Sequence, residues 1–278
     1  MTATAARPWT FYLLAAFFAA YVLFLYGPML CIFILSFQGP QGGLAFPMRG
    51  HGFFWFNQLI TQADTGDIVG AIERSIPLAI IVTVLTTVIS VSAGLAFRSC
   101  FPGSALLFYT AVASLVAPGY VLGIGIGMMF EILGLTTSWY GSALGAQLTW
   151  TLPFGLLIMF AVFGRLDRSY EEAARDMGAS LAQTLWLVVL PIVLPGVIAV
   201  ALFGFTLSYD EFARTLQTTG GTNTLPIEIW SMTQNVTSPS IYALGTLTTI
   251  FSLVVIAISL STVALIQRRR AGNLVPAA

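Results

Sequence analysis

The sequence predicts an all-α membrane protein with six transmembrane helices, and three observations support that prediction. Of the 278 residues, 57% are hydrophobic and only 8% are charged, a composition far outside that of soluble globular domains. Six apolar stretches are each long enough to cross a hydrocarbon core, which takes roughly 20 helical residues. Arginine is concentrated in the connections that would share one side of the membrane. We therefore expect a single transmembrane domain over residues 1–278.

The six apolar stretches follow one another along the chain. They are Thr10–Phe37, Ser75–Ala96, Ser104–Leu133, Ser142–Gly164, Leu181–Ser208 and Ile241–Ile266. The first follows Arg7, as the apolar core of a signal peptide would, but such a core has only about 7 to 15 residues. A retained first span over about residues 10–37 is therefore expected. The longest connections, 38–74 and 209–240, are too small to form separate domains.

Arginine placement predicts the orientation of these spans. An even number of spans puts both termini on one side, and that side carries eight of the eleven arginines. The opposite side carries seven of the eleven acidic residues. Because short arginine-rich connections stay in the cytoplasm, both termini are predicted to be cytoplasmic, with the Arg268–Arg270 run as a topology anchor beside the lipid.

The composition also argues against several classes of function. All basic residues are arginine, so the chain has no lysine for a Walker A phosphate loop or a Schiff base. The net charge of zero offers no basic surface for nucleic acid. Cys31 and Cys100 are isolated and His51 is the single histidine, so no metal site and no cofactor are expected in this chain. An intramembrane hydrolase would need a serine with a histidine, or paired carboxylates, in the spans, and these are missing.

One charged, alanine-rich segment interrupts the apolar sequence between the fourth and fifth spans: SYEEAARDMGASLAQ, residues 169–183. Ser169 and Glu172 have the spacing of a capping box and Gly178 suits a left-handed C-terminal turn, which predicts a helix of about two turns. Ser180 and Gln183 form a second capping box at the start of the fifth span. Helical spacing divides the segment into an apolar strip of Ala173, Ala174 and Met177, and a charged surface of Glu171, Glu172, Arg175 and Asp176.

A helix this short is marginal alone in water, so something must support it. Either it rests on its own membrane domain and the lipid headgroups, or it docks on a partner. An ion channel is a further alternative for the function of the whole chain, but a helix that docks on a partner gives it no support.

The spacing within this segment and after it narrows the choice. EAARDMG at 172–178 is followed, after nine residues, by VVLP at 188–191. This resembles the Glu-Ala-Ala loop of the permeases of type I ATP-binding-cassette (ABC) importers, with Val188 in place of an isoleucine, and the resemblance covers about residues 75–265. It implies the type I importer permease fold. It also implies that Glu172 to Met177 form a cytoplasmic coupling helix, turned at Gly178, that docks in a cleft of an ATPase subunit. Glu171, just before this helix, is counted among the coupling residues. That subunit would bind ATP and Mg²⁺, and this chain would be non-catalytic.

Three longer stretches refine the resemblance. FGRLDRSYEEAARDMGAS, LPIVLPGVIAVALFGFTLSYDEF and LPIEIWSMTQNVTSPSIYALGTL look like the second permease of the spermidine/putrescine family. Importers of that family pair two homologous permeases with two ATPase copies and an extracytoplasmic binding protein in the bacterial inner membrane. The resemblance implies a polyamine substrate, with an aminophosphonate, iron or an amino-acid-like compound as alternatives.

Candidates for a solute path stand near the predicted outer ends of the spans. Tyr209, Asp210 and Glu211 end the fifth span, and acidic residues at membrane depth usually face a cavity. The other interpretation is a solvated helix end with an arginine pair. Glu131, with Trp150 on the neighbouring span, is a further candidate of the same kind.

Two features predict local geometry within the spans. Pro191 and Pro195, one helical turn apart, should break backbone hydrogen bonds in the fifth span, either as a pivot or as a packing kink. GIGIG at Gly123–Gly127 lies within an apolar helix with no strand before it, which indicates close helix packing rather than a dinucleotide loop.

Overall fold

The computed structural model describes residues 8–61, 66–99, 101–235 and 238–272, and these are almost entirely helical. The helices are α1 (Trp9–Leu35), α2 (Phe54–Thr61), α3 (Ile68–Phe97), α4 (Ser104–Ala113), α5 (Gly119–Ile132), α6 (Ser142–Gly164), α7 (Ser169–Asp176), α8 (Leu181–Gln183), α9 (Leu190–Tyr209), α10 (Leu225–Asn235) and α11 (Ser240–Gly272). A π-helical segment, Thr184–Val189, joins α8 to α9. The predicted all-α class is confirmed.

Within the described part of the chain, five helices are long and apolar enough to cross a membrane: Trp9–Leu35, Ile68–Phe97, Ser142–Gly164, Leu181–Tyr209 and Ser240–Leu265. They coincide with five of the six predicted spans. The third predicted span, Ser104–Leu133, is not one continuous helix, because α4 and α5 are separate shorter apolar helices. The Ser114 hydroxyl, just after α4, donates to the carbonyls of Ala111 (2.7 Å) and Thr149 (2.8 Å). Pro118, just before α5, supplies no backbone N–H to continue a helix. The helix is therefore interrupted between Ser114 and Pro118.

The chain divides into two compact units, and the first comprises residues 1–66 and 231–251. Most of α1 is exposed in this unit, as expected of a helix that faces lipid or another subunit. The ring of Phe37 contacts those of Phe33, Phe53 and Phe56, with centroids 5.3–5.4 Å apart. These aromatic contacts pack the connection after α1 against the start of α2.

The second unit, residues 67–230 and 252–278, is built on α3, α6 and α9. Its buried apolar cluster includes Met159, Phe163, Val193 and Val200. The helices approach closely, since a Cβ on Gly155 would lie 2.2 Å from the Ser90 hydroxyl oxygen. Small residues thus let α3 and α6 pack at short range.

Polar contacts fix the directions of these three helices. Arg98, just after α3, contacts Glu171, which follows α6, and Ser208 at the end of α9 donates to Gln147 near the start of α6. Therefore α9 runs antiparallel to α3 and α6. The second unit has an α7 end, which holds Arg98 and residues 165–181, and a loop end, which holds residues 133–141 and 210–224.

Candidate functional site

The sequence forms the short helix α7 largely as predicted. Gly178 has a φ of 85°, the left-handed conformation expected at its end, and its N–H donates to the Arg175 carbonyl (2.8 Å). The second capping box, between Ser180 and Gln183, has both of its bonds. The first predicted capping box, between Ser169 and Glu172, is wrong, because neither side chain makes a capping hydrogen bond at the start of α7.

Asp167 takes the place of that cap. Its carboxylate accepts the Ser169 backbone N–H at 3.0 Å, and this hydrogen bond lowers the pKa of Asp167. A carboxylate near the positive end of a helix serves the orphan donors as well as the predicted serine hydroxyl would. The helix therefore starts at Ser169, as the pattern predicts, but with a different side chain bonded to its first turn.

One side of α7 is held on the membrane helices. Arg98, just past α3, forms an ion pair with Glu171 and lies 5.9 Å over the ring of Phe163. The Arg168 guanidinium donates to the Arg98 carbonyl at 2.7 Å. Arg98 and Glu171 keep only 16% and 22% of their side-chain surface exposed, so this pair is a fixed contact rather than a mobile surface one.

The other side of α7 is open. Tyr170, Met177 and Leu181 are 56%, 90% and 71% exposed, and the remaining exposed residues from 169 to 181 are Ser169, Glu172, Ala173, Arg175, Asp176, Gly178 and Ser180. Ala174 is half-buried. The Glu171 side of α7 therefore rests on its own membrane unit, as the first interpretation expects. Docking on a partner stays a prediction for the exposed remainder of the helix. A groove of about 330 Å³, which Arg98, Glu171 and Arg175 help to line, separates α7 from the end of α3.

At the loop end, Glu211 and Arg214 form a buried pair. Glu211 is 7% exposed, and its carboxylate accepts the Arg214 backbone N–H at 2.7 Å and lies 3.9 Å from a guanidinium nitrogen of Arg214. Burial raises the pKa of Glu211, while the contacts with Arg214 oppose that rise. The second interpretation, a solvated helix end with an arginine pair, is therefore right about the pair, but Glu211 is buried rather than solvated.

Arg214 connects this pair to other parts of the unit. Its guanidinium lies 4.5 Å over the ring of Trp150 on α6 and donates to the Ser114 carbonyl at 3.3 Å. A Cβ on Gly123 would lie 2.6 Å from the Arg214 carbonyl oxygen, so the backbone of this loop lies directly on α5. Gly123 and Gly127 are therefore closely packed, but against a loop rather than the helix that the sequence predicts, and a Cβ on Gly125 meets nothing within 4 Å.

A buried polar network fixes the same loop from the α6 side. The Gln147 amide donates to the Thr215 hydroxyl at 3.1 Å and its carbonyl accepts from Ser208. The Ser142 hydroxyl donates to the Thr218 carbonyl at 2.6 Å. These groups are buried and partnered, as buried polar groups must be to avoid a large desolvation cost. The segment after α9 is therefore held rigidly against α6.

A second cluster holds the far end of this loop. Arg74 on α3 pairs with Asp67 (2.8 Å), which lowers the pKa of Asp67, and donates to the Asn223 carbonyl (2.8 Å). Asn223 donates in turn to Glu228 (2.7 Å). These bonds tie the start of α3 to the start of α10, so both ends of the loop are anchored.

The predicted path residues do not form one constellation. Tyr209 is buried, with its ring stacked on Phe205 at 6.0 Å, and Asp210 beside it is exposed. Trp150 and Glu211 are brought together through Arg214. Glu131 lies elsewhere, in a pocket at the end of α5 of which Trp150 is not a lining residue. Among the described residues, no three histidine, cysteine or carboxylate side chains are grouped as a metal site would require.

Two arginines organise these ends, and the sequence patterns indicated only part of what each one does. Arg98 could have been noticed as a lone charge just past an apolar span, where a topology anchor is the ordinary interpretation. Arg214 stands three residues after Glu211, a spacing that suggests a pair, but nothing in the sequence connects it to Trp150.

Comparison with known proteins gives one family. Residues 86–272 match the family described as "Binding-protein-dependent transport system inner membrane component". The spermidine/putrescine transport system permease protein PotC of Haemophilus influenzae is 27% identical over 251 residues, covering 90% of this chain and 95% of the relative. The putrescine transport system permease protein PotI of Escherichia coli K12 is 27% identical over 253 residues, covering 86% of this chain and 85% of that protein.

Solved structures agree at the level of the fold. A chain of a bacterial ABC transporter involved in the import of the acidic polysaccharide alginate matches with a TM-score of 0.60 and 17% identity, over 95% of both chains. A chain of the methionine transporter MetNI in an inward-facing conformation matches with a TM-score of 0.56 and 18% identity, over 72% of this chain and 95% of that one. Because the family match covers more than half of the sequence, this chain belongs to the binding-protein-dependent transport system inner membrane components, as a multi-pass permease subunit of an ABC importer.

Proposed function

We propose that this permease imports a polyamine such as spermidine or putrescine, and that α7 is the helix through which an ATPase subunit drives it. The observation that carries the proposal is the asymmetry of α7, which is fixed on one side by Arg98 and open on the other. A helix fixed to the membrane unit can transmit a displacement to it, and an open face can receive a partner. The relatives described above, whose names specify spermidine and putrescine, support the substrate class.

The family and the solved relatives support a set of partners for this chain. The transporter would contain this chain, a homologous second permease, two ATPase copies that bind ATP and Mg²⁺, and an extracytoplasmic binding protein. The exposed side of α7 would enter the ATPase cleft through Ala173, where a small side chain allows close approach, and through Met177, whose flexible side chain adapts to an uneven surface. Glu172, Arg175 and Asp176 would supply the surrounding polar contacts.

The arginine distribution supports an orientation for the assembly. The α7 end carries Arg98, Arg165, Arg168 and Arg175, so it would face the cytoplasm together with both termini. The loop end, rich in acidic residues, would face the binding protein outside. Asp210 is the exposed carboxylate directly after α9, whereas Glu211 is already paired with Arg214. Asp210 is therefore the better candidate of the two to meet a cationic solute.

The test is transport by the assembled complex. A tagged form of this chain would be purified with its partner subunits and reconstituted in vesicles with the matching binding protein. Labelled spermidine and putrescine should accumulate with ATP but not with a non-hydrolysable analogue, and the isolated chain should hydrolyse no ATP. Uptake of an aminophosphonate, iron or an amino acid in place of polyamines would overturn the proposed substrate. Failure of the ATPase to assemble on wild-type α7 would overturn the coupling role.

A further inference from the structure

The end of α5 forms a pocket of about 470 Å³ together with the residues that follow it and the loop around Gln217. Its polar lining includes the Glu131 carboxylate, the side chains of Thr136 and Thr137, and Gln217. Ile124, Met128 and Leu135 give it an apolar wall. This cavity has the composition of a small-molecule site, in which a few polar groups orient a ligand against an apolar surface.

The pocket is formed by close backbone packing. A Cβ on Gly127 would lie 2.8 Å from the Gln217 carbonyl oxygen, and one on Gly220 would lie 2.3 Å from the Thr137 carbonyl oxygen. Gly220 also has a φ of 71°, which side chains rarely tolerate. The two loops are thus fixed against α5 and against each other, so the pocket does not depend on a mobile segment to close it.

The charge inside the pocket has one sign. Glu131 is the single ionisable side chain among the described residues that line it, and it has no ion-pair partner among them. Glu131 stands in the last turn of α5, where the negative end of the helix dipole favours a cation. The Gln217 amide group donates to the Tyr120 hydroxyl at 3.0 Å, which leaves its carbonyl oxygen as an acceptor.

We propose that this pocket binds an ammonium group of the transported polyamine as it leaves the binding protein, with Glu131 as the counter-ion. The proposal rests on the polyamine substrate proposed above and adds the site of first contact. The methylene chain of a polyamine would lie along Ile124, Met128 and Leu135, while its ammonium would exchange water for the Glu131 carboxylate and the threonine hydroxyls. A ligand that is both cationic and aliphatic satisfies both walls at once, which a metal ion or an anion would not.

The first experiment removes the charge without changing the shape. Purified assembled transporter, free of binding protein, would be tested for equilibrium binding of labelled spermidine, and reconstituted vesicles for its uptake. A charge-assisted hydrogen bond is strong enough that Glu131→Gln should weaken spermidine binding roughly tenfold, with Glu131→Asp in between. ATPase assembly should be unchanged, because Glu131 lies at the opposite end of the unit from α7.

A second pair of variants tests the pocket by volume. A Cβ on Gly221, which lines the pocket, meets nothing within 4 Å, and the same is true of Gly145 on α6, which does not line it. Gly221→Leu should therefore fill the cavity and reduce spermidine binding without backbone strain. Gly145→Leu is the matched control and should bind as the wild type does.

The outcomes separate this proposal from the one on which it rests. If the wild-type transporter takes up no polyamine, both are overturned. If it takes up polyamine, and Glu131→Gln and Gly221→Leu bind and transport it normally, only the pocket proposal fails. If Glu131→Gln weakens capture of the binding protein but leaves spermidine binding intact, Glu131 contacts the binding protein instead, and the pocket proposal is likewise wrong.

Discussion

The two ends of the second unit are held in different ways. At the α7 end, a two-turn helix is attached by one ion pair and one arginine-to-backbone bond, with most of its surface exposed. At the loop end, residues 210–224 are fixed by a buried ion pair, a cation–π contact and polar contacts with α3, α5 and α6. The first arrangement suits a contact that must form with another subunit. The second suits a frame that must keep its shape while solute passes.

This contrast gives the charged residues different roles at the two ends. Arg98 acts from the edge of the membrane unit and leaves α7 accessible, whereas Arg214 is 3% exposed and has no surface to offer a partner. Breaking an ion pair that keeps part of its surface exposed costs little, but removing one member of a buried pair leaves an uncompensated charge. Substitutions in the buried pair at the loop end should therefore damage folding, while those at the α7 end should damage coupling.

The largest effect is expected for Arg214→Met. Loss of the guanidinium strands the buried Glu211 carboxylate, which should cost about 3 kcal/mol and lower the yield of folded transporter. Thermal unfolding in detergent measures the change. Arg165→Met at the exposed end of α6 is the matched control and should unfold as the wild type does.

A double variant sharpens that prediction. Adding Glu211→Gln to Arg214→Met removes the stranded charge and should restore part of the lost stability. Lowering the pH should also help the single variant, because an unpaired buried carboxyl has a raised pKa and becomes neutral as the pH falls. Equal destabilisation in the single and double variants at every pH would show that the charge pair is not what holds this loop.

The next effect is expected for Gly178→Val. Because Gly178 is left-handed, a β-branched residue should strain the turn by about 1–2 kcal/mol and misdirect α7. A Cβ there meets nothing within 4 Å, so the effect is one of backbone conformation alone. We expect the membrane helices to fold and the ATPase to be lost on purification.

Gly164→Val provides the control for this change. Gly164 ends α6 near the same end of the unit, its φ is not positive, and a Cβ there also meets nothing. It should retain the ATPase and uptake. Normal copurification and uptake in both variants would argue against docking at α7.

A smaller effect is expected for Arg98→Gln. Breaking a partly exposed ion pair should cost about 0.5–1 kcal/mol, too little to unfold the unit but enough to loosen α7. Amide hydrogen exchange should accelerate in residues 169–176, and less solute should move for each ATP hydrolysed. Unchanged exchange in α7 would mean that the ion pair does not hold the helix.

The sequence predicted the fold where a local signal decides it. Apolar length identified the spans, and the Gly178 and Ser180 signals identified the end of α7 and the start of the next helix. Prediction from the sequence failed where two local signals point to different structures. The interruption at Pro118 lies within an apolar stretch, so a hydropathy pattern treats it as continuous, and Asp167 competes with Ser169 for the same helix start.

The site was less predictable because its contacts are distant in sequence. Glu211 and Arg214 could be paired from their spacing, but their burial depends on Trp150, Ser114 and Gln147, which come from other helices. The pattern at 172–178 predicted a short helix with an exposed face but could not show that Arg98 would fix its Glu171 side. Local spacing predicts elements, whereas burial of a charge requires the assembled helices.

Asp210→Asn should have the smallest structural effect and tests whether the rigid end meets the solute. Asp210 is exposed beside a buried loop, so loss of its charge should leave assembly intact and lower uptake of labelled spermidine by roughly two- to fivefold, as expected for one exposed carboxylate near a cation. Partial desolvation by the surrounding protein raises the pKa of Asp210. Its negative charge is therefore lost at a higher pH than that of an ordinary carboxyl as the solution is acidified. Wild-type uptake should fall on the acidic side, and that part of the fall should be missing from the Asn variant, in which uptake is already low. Identical uptake and identical pH profiles in matched vesicles would instead leave Asp210 as a solvated residue with no part in solute passage, and would confine the role of the loop end to holding its shape.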